Sequence, residues 1–209
     1  MTETLIQDSI SQILLQASKY MDRCEFDRAI EKLKQGLTMD PQNIAVLERI
    51  AICNLELKQP QEALETFDTI LSINPDSWIV WADKAFMHLL LKEDEPGMEA
   101  LERSLELNPR NGRDWLLLAS AYIQNEMWED ACDALEIVLQ LEPNSSMAWY
   151  NYAVCNFFLE DNERALMAAE KAFAIDPLLQ ELAQDWIEMA RMELEEYDDE
   201  IFLIDILAS

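Results

Sequence analysis

The chain has 209 residues, half of them hydrophobic, and 42 acidic against 15 basic side chains give it a net charge of −27. So acidic a surface repels nucleic acid and anionic membrane, which disfavours direct binding to DNA, RNA or a lipid surface. No apolar stretch approaches the roughly 18 uninterrupted residues of a membrane-crossing helix, and the opening residues lack the basic-then-apolar pattern of a signal peptide; the sequence therefore reads as soluble and cytoplasmic.

Met1 to Thr4 lead into an amphipathic helix, and from residue 10 a fixed clock sets in. Asp40-Pro41, Asn74-Pro75, Asn108-Pro109, Glu142-Pro143 and Asp176-Pro177 recur with each proline 34 residues after the last. A repeat of this period predicts stacked helix-turn-helix units. The blocks 10–43, 44–77, 78–111, 112–145 and 146–179 align into columns. The eighth column is Ala17, Ala51, Ala85, Ala119 and Ala153; the twentieth is Ala29, Ala63, Gly97, Ala131 and Ala165. Helices cross closely only where neither carries bulk, so these columns mark the contact between the two helices of a block. Large residues surround it: Ile13, Leu47, Trp81, Trp115 and Trp149 in column four, and Leu37, Leu71, Leu105, Leu139 and Phe173 in column twenty-eight. With 3 glycines and 7 prolines, and Pro60 and Pro96 near the starts of second helices, no flexible linker is expected.

These columns, with Tyr20 and Tyr122 at column eleven, Phe67 at column twenty-four and the recurring proline, resemble the tetratricopeptide repeat family over residues 10–179. Asn54, His88 and Asn156 stand where the family often has Tyr, and Gly97 where it prefers Ala. The resemblance implies an all-α, right-handed solenoid of five 34-residue helix-turn-helix repeats in one domain, closed by a C-terminal capping helix.

In this family the first helix of each repeat lines a concave groove, at columns two, five, six, nine, twelve and thirteen. The groove residues implied here are Ile52, Ile79, Phe86, Leu89, Leu116, Ile123, Met147, Tyr150, Asn151, Val154 and Phe157. They are predominantly apolar. The Lys, Asn and Arg clamp by which some members grip a chaperone's C-terminal carboxylate is missing, with Arg49, Arg113 and Asn151 scattered instead. An apolar groove suits an amphipathic helix or extended apolar segment. The partner implied is a protein or peptide client. Two thirds of the net charge lies beyond residue 111; it serves either as a solubilising face, or adaptation to a salty cytoplasm, or as a steering field for a client with basic flanks.

For catalysis the sequence offers no nucleophile-base pair, no glycine-rich phosphate loop and no metal cluster, so neither enzyme activity nor a cofactor is expected. The sole histidine, His88, sits in a helix-packing column. Cys53 and Cys155 share a column three repeats apart, roughly 25–30 Å at about 8–10 Å per packed helix, whereas a disulfide needs Cα atoms within about 7 Å. With Cys24 and Cys132 they are expected to be free thiols, packed as small hydrophobes.

Trp186 and Ala190 repeat the column-four to column-eight spacing, but Trp186 follows Trp149 by 37 residues, so the helix over 180–197 is a capping element set back by three residues. Beyond it, Asp198-Asp199-Glu200 precede the apolar tail Ile201, Phe202, Leu203, Ile204, Ile206 and Leu207. Leaving these side chains in water forgoes roughly 1.5–3 kcal/mol each. Three fates are open: packing on the cap helix or in the chain's own groove, entering a second copy to make a homodimer, or docking on another protein. The reading is a non-enzymatic interaction adaptor or assembly chaperone, with self-assembly through the tail as the alternative.

Overall fold

The computed structural model describes the backbone of residues 3–207 and the side chains of residues 4–195. Among the described residues there are eleven α-helices and no strand. The chain divides into two compact units, residues 1–108 and 109–209, parted within the clock dipeptide Asn108-Pro109.

The first unit holds α1 (Glu3–Met21), α2 (Phe26–Leu37), α3 (Ile44–Glu56), α4 (Pro60–Ile73), α5 (Trp78–Leu90) and α6 (Asp94–Leu107). The second holds α7 (Gly112–Gln124), α8 (Trp128–Leu141), α9 (Ser146–Phe158), α10 (Asn162–Ile175) and α11 (Leu179–Leu207). Each block of 34 thus supplies one helical hairpin, except that α1 reaches back seven residues before its block.

The hairpins start and stop by local chemistry. Asn43, Asn111 and Ser145, each the last residue of a block, accept from the backbone N–H groups of Val46, Asp114 and Ala148 and so cap the next first helix. Pro60 opens α4, where its missing N–H costs no helical bond. Every first helix ends in the same way. Cys24, Lys58, Lys92, Glu126 and Glu160 have φ between 57° and 65°. Around them run paired bonds such as Gln59 N–H to Asn54 C=O and Lys58 N–H to Leu55 C=O, at 2.9 and 3.0 Å. This is the left-handed helix stop that usually takes glycine. Here no glycine fills it.

Both small columns are buried, as their role at the crossing requires. Gly97 explains itself: a Cβ there would lie 2.7 Å from the Leu89 side chain. In the first unit, Ile10, Ala17, Leu33, Val46 and Cys53 join α1, α2 and α3 in one cluster, while Leu47, Phe67, Ile70, Val80 and Met87 join α3, α4 and α5 in another. α2 and α4 are therefore each enclosed by their own first helix and the next one. The second unit repeats this with Ala119, Leu135, Val138 and Cys155, and then with Ala153, Ala168, Ala169, Ala183 and Ile187, through which α11 covers the edge of α10. Fully burying a leucine such as Leu33 or Leu135 is worth roughly 1.5–3 kcal/mol.

The column-four tryptophans do more than fill space. The indole N–H groups of Trp81, Trp115 and Trp149 donate to the carbonyls of Pro75, Pro109 and Pro143, each at 2.9 Å. The clock proline and the tryptophan six residues on are thus one structural joint. In Trp186 the three-residue offset removes that acceptor, and its buried Nε1 has no hydrogen-bond partner among the described residues.

α11 runs without a break through residue 197, where the sequence suggested an end to the cap helix. Asp198, Asp199 and Glu200 keep their backbone N–H groups and bring no proline or glycine, so nothing there stops a helix. The expectations for the side chains of Ile201, Phe202, Leu203, Ile204, Ile206 and Leu207 lie outside the described residues.

Candidate interaction site

In the first unit the implied groove residues lie on α3 and α5. Ile52 and Ile79 converge on a cleft of about 180 Å³ that is floored by Phe67 and Ile70 and edged by Glu48 and Asp83. Phe86 lies two turns further along the Ile79 face of α5. Ile52, Ile79 and Phe86 remain 46%, 54% and 48% exposed, and Leu90 63%. Leu89 is half-buried because it leans into the space that Gly97 leaves open. Arg49, the one basic groove residue here, donates to Ser18 Oγ at 3.0 Å, so its charge is anchored beside α1.

In the second unit Leu116 and Ile123 are half-buried against the α8 cluster, while Met147 is exposed. Tyr150, Asn151, Val154 and Phe157 are half-buried on α9. Two of them touch α11: the Tyr150 hydroxyl donates to the Leu182 carbonyl at 3.5 Å, and the Phe157 ring lies 5.4 Å from that of Trp186. The α9 face is thus partly occupied by the cap helix, which the column reading did not anticipate. Phe158 stays open, stacked on Trp128 at 4.3 Å.

Sequence columns also missed a cavity of about 950 Å³ between the α9–α10 turn and the later part of α11. Phe157 and Phe158 form its apolar wall and Glu160, Glu163 and Glu193 its acidic one. Asn162 Nδ2 donates to Glu193 Oε2 at 2.7 Å, a contact made across 31 residues and hence invisible to a 34-residue period. α11 meanwhile leaves Leu182, Met189 and Met192 exposed, so its outer face is not purely acidic.

The remaining polar groups have structural roles. His88 Nδ1 bonds to Glu93 Oε2 at 2.6 Å and closes a hairpin turn. The Tyr152 hydroxyl donates to Glu136 at 2.8 Å; burial and that bond push it up to about 12. Cys53, Cys132 and Cys155 are buried free thiols, whereas Cys24 is exposed on its turn and not packed as a hydrophobe. A hydrogen bond shared with Cys132, together with burial, pushes the Cys155 thiol up; burial does the same to Cys53. No group of three or more potential metal ligands occurs among the described residues, and no described helix is long and apolar enough to cross a membrane.

A family model described as a tetratricopeptide repeat matches residues 20–84, and one described as subunit 3 of the anaphase-promoting complex, or cyclosome, matches residues 95–172. No curated protein matches the chain significantly in sequence. Among solved structures, the crystal structure of a MamA protein has a TM-score of 0.73 at 18% identity, covering 82% of this chain and 93% of that one. MamA from residue 41 onward, of Desulfovibrio magneticus RS-1, has a TM-score of 0.68 at 21% identity, covering 85% and 98%. YrrB, described as a TPR protein with an unusual peptide-binding site, has 0.69 at 18% identity, covering 91% and 97%. At these identities the likeness is one of fold, and it agrees with the helical hairpins, the two small columns and the proline clock: the chain has the tetratricopeptide repeat fold, and its residues 20–84 match that family's own model.

Proposed function

We propose that the chain is a non-enzymatic protein-interaction adaptor that holds an apolar or amphipathic segment of a partner against its first helices. The observation that carries this is the row of large apolar side chains left in water on α3 and α5, where Ile52 and Ile79 share a cleft and Phe86 continues the line. Apolar groups left exposed in a contiguous row mark an interaction surface, whereas scattered ones do not. Glu48 and Asp83 edge the cleft, and the chain carries −27 overall, so a segment with basic flanks is the complementary partner. YrrB, a fold neighbour, is itself described as binding peptide. The four free cysteines suit a reducing, cytoplasmic setting.

The test is Ile79→Glu combined with Phe86→Glu, measured by fluorescence anisotropy with a leucine-faced, lysine-flanked helical peptide. Two carboxylates in an apolar contact should weaken binding by well over about tenfold while the far-ultraviolet spectrum stays unchanged. Phe86 and Ile79 are chosen over Phe157, whose contact with Trp186 makes it part of the cap packing. Undiminished affinity in a folded double variant sinks this reading.

The exposed Leu182, Met189 and Met192 on α11 favour a second reading, self-assembly through this helix, including the apolar sequence at its end. A mass that rises with concentration, and no longer does so in a chain ending at Tyr197, would support it.

A further inference from the structure

We infer that the outer face of α11 is a second docking surface, which takes an amphipathic helix of a partner protein bearing lysine or arginine along one edge. This surface lies outside the α3–α5 cleft and does not depend on it. Leu178, just ahead of α11, and Leu182, Met189 and Met192 on it are 73%, 70%, 50% and 62% exposed. With Asp185 they fall at alternating steps of four and three residues, the spacing of a coiled-coil seam. At 1.5 Å per residue the stripe is about 21 Å long. On the opposite side of the helix Leu179, Ala183, Ile187 and Ala190 are buried, Ala183 and Ile187 against α9 and α10. A terminal repeat of a solenoid needs a polar outer face to stay soluble, and here that face carries large apolar side chains instead. The chain's own apolar segment does not cover them, because α11 continues as one helix to Leu207 and carries that segment onward along its axis.

The charges beside the seam select its occupant. Glu181, Glu188 and Glu195 recur every seven residues along one edge of the stripe, all exposed, and Asp185 lies within it. None of these four carboxylates has an ion pair among the described residues. The other edge is taken up within the fold: Leu179 is buried, Trp186 packs on Phe157, and Glu193 accepts from Asn162. A second copy fits this face badly. Laid antiparallel, it would set the glutamate row against the same row; laid parallel, it would bring the two Asp185 carboxylates together inside the seam. A helix with lysine or arginine opposite the glutamate row meets neither conflict. One further basic residue in that helix's own seam can cover Leu182 and Met189 with its methylene stem while its charged head reaches Asp185. The self-assembly reading uses the same face, and these charges favour the basic partner over it.

The experiment uses the full chain with isotopically labelled methionine methyl groups, the Met189 and Met192 signals being assigned by Met189→Leu and Met192→Leu. The probe is a synthetic helix about three heptads long, with leucine in its seam, one seam lysine and a lysine edge. The expected result is a saturating shift of both methionine signals. Glu181→Lys, Glu188→Lys and Glu195→Lys together should weaken binding by at least about tenfold, since three attractive pairs become repulsive, and should create binding to the same helix with a glutamate edge. Leu182→Gln, outside the packed core, should also weaken binding by about tenfold or more. Methionine signals that stay still, that respond equally to the lysine- and glutamate-edged helices, or that ignore the charge reversal overturn the inference. Signals that move when the chain alone is diluted assign the face to a second copy and overturn it as well. The Ile79→Glu/Phe86→Glu variant should give the same methionine shift, and its loss there would refute a separate α11 surface. An intact methionine response beside a failed test of the α3–α5 cleft sinks the cleft alone.

Discussion

The five left-handed turns give a test in which one residue type acts with opposite sign at two places. Lys58, Lys92 and Glu126 are exposed and have φ of 57°, 65° and 59°. A side chain with a Cβ pays roughly 1–2 kcal/mol for that conformation. Glycine avoids the strain but loses about 0.5–1 kcal/mol more backbone entropy on folding. The difference is a net gain of about 0.5 kcal/mol per site, or about 1.5 kcal/mol for Lys58→Gly, Lys92→Gly and Glu126→Gly together, if sites without shared partners add. In a chain of this size each 1 kcal/mol moves Tm by about 2–4 °C, so the triple variant should melt about 3–6 °C above the parent. The control is Glu65→Gly at an exposed, helix-internal position of α4, where the cost is about 1 kcal/mol and Tm should fall. Circular dichroism at 222 nm across a thermal ramp reads both. A triple variant that melts at or below the parent would refute the claim that these turns hold strained backbone.

Three further outcomes are expected. A thiol reagent such as dithionitrobenzoate should modify Cys24 at once in the native chain and reach Cys53, Cys132 and Cys155 only as it unfolds; rapid native labelling of more than one thiol would contradict their burial. Tyr152 has its folded pKa raised to about 12, from 10 in the unfolded chain, so the stability it contributes is complete below pH 10 and is lost as pH rises toward 12; the slope of Tm against pH in that window should be shallower for Tyr152→Phe than for the parent. Trp115→Phe removes the bond to the Pro109 carbonyl and part of a packed ring, and should cost about 1–3 kcal/mol by urea denaturation; an unchanged midpoint would show that this joint carries no stability.

What could be read in the sequence was whatever repeats. Column averages across the blocks expose a residue type that geometry demands each time, which is why the alanines of columns eight and twenty and the clock prolines located the helices and their crossings. Features fixed by the backbone alone left no such mark. The left-handed turn is occupied by Cys24, Lys58, Lys92, Glu126 and Glu160, none of them the glycine that would have marked it, because the paired backbone bonds impose the conformation whatever the side chain. Features that depend on one repeat differing from the others were also lost. Leu89 turns inward where Gly97 replaces alanine, Phe157 turns toward Trp186, and Asn162 meets Glu193 on a helix that is out of step with the clock. The exposed apolar positions Ile52, Ile79 and Phe86, which the proposed reading rests on, follow from the column pattern, whereas the surroundings of α11 do not, because its register departs from the 34-residue clock.

The tryptophan joints make the chain its own stability gauge. Trp81, Trp115 and Trp149 each tie their indole proton to a carbonyl of the segment leading into their own hairpin, so that proton can exchange with heavy water only when that segment parts from the ring. Each of the three indole signals in a proton spectrum therefore clocks the opening of one hairpin, and a partner that clamps two neighbouring repeats would slow their signals together while leaving the third at its own pace.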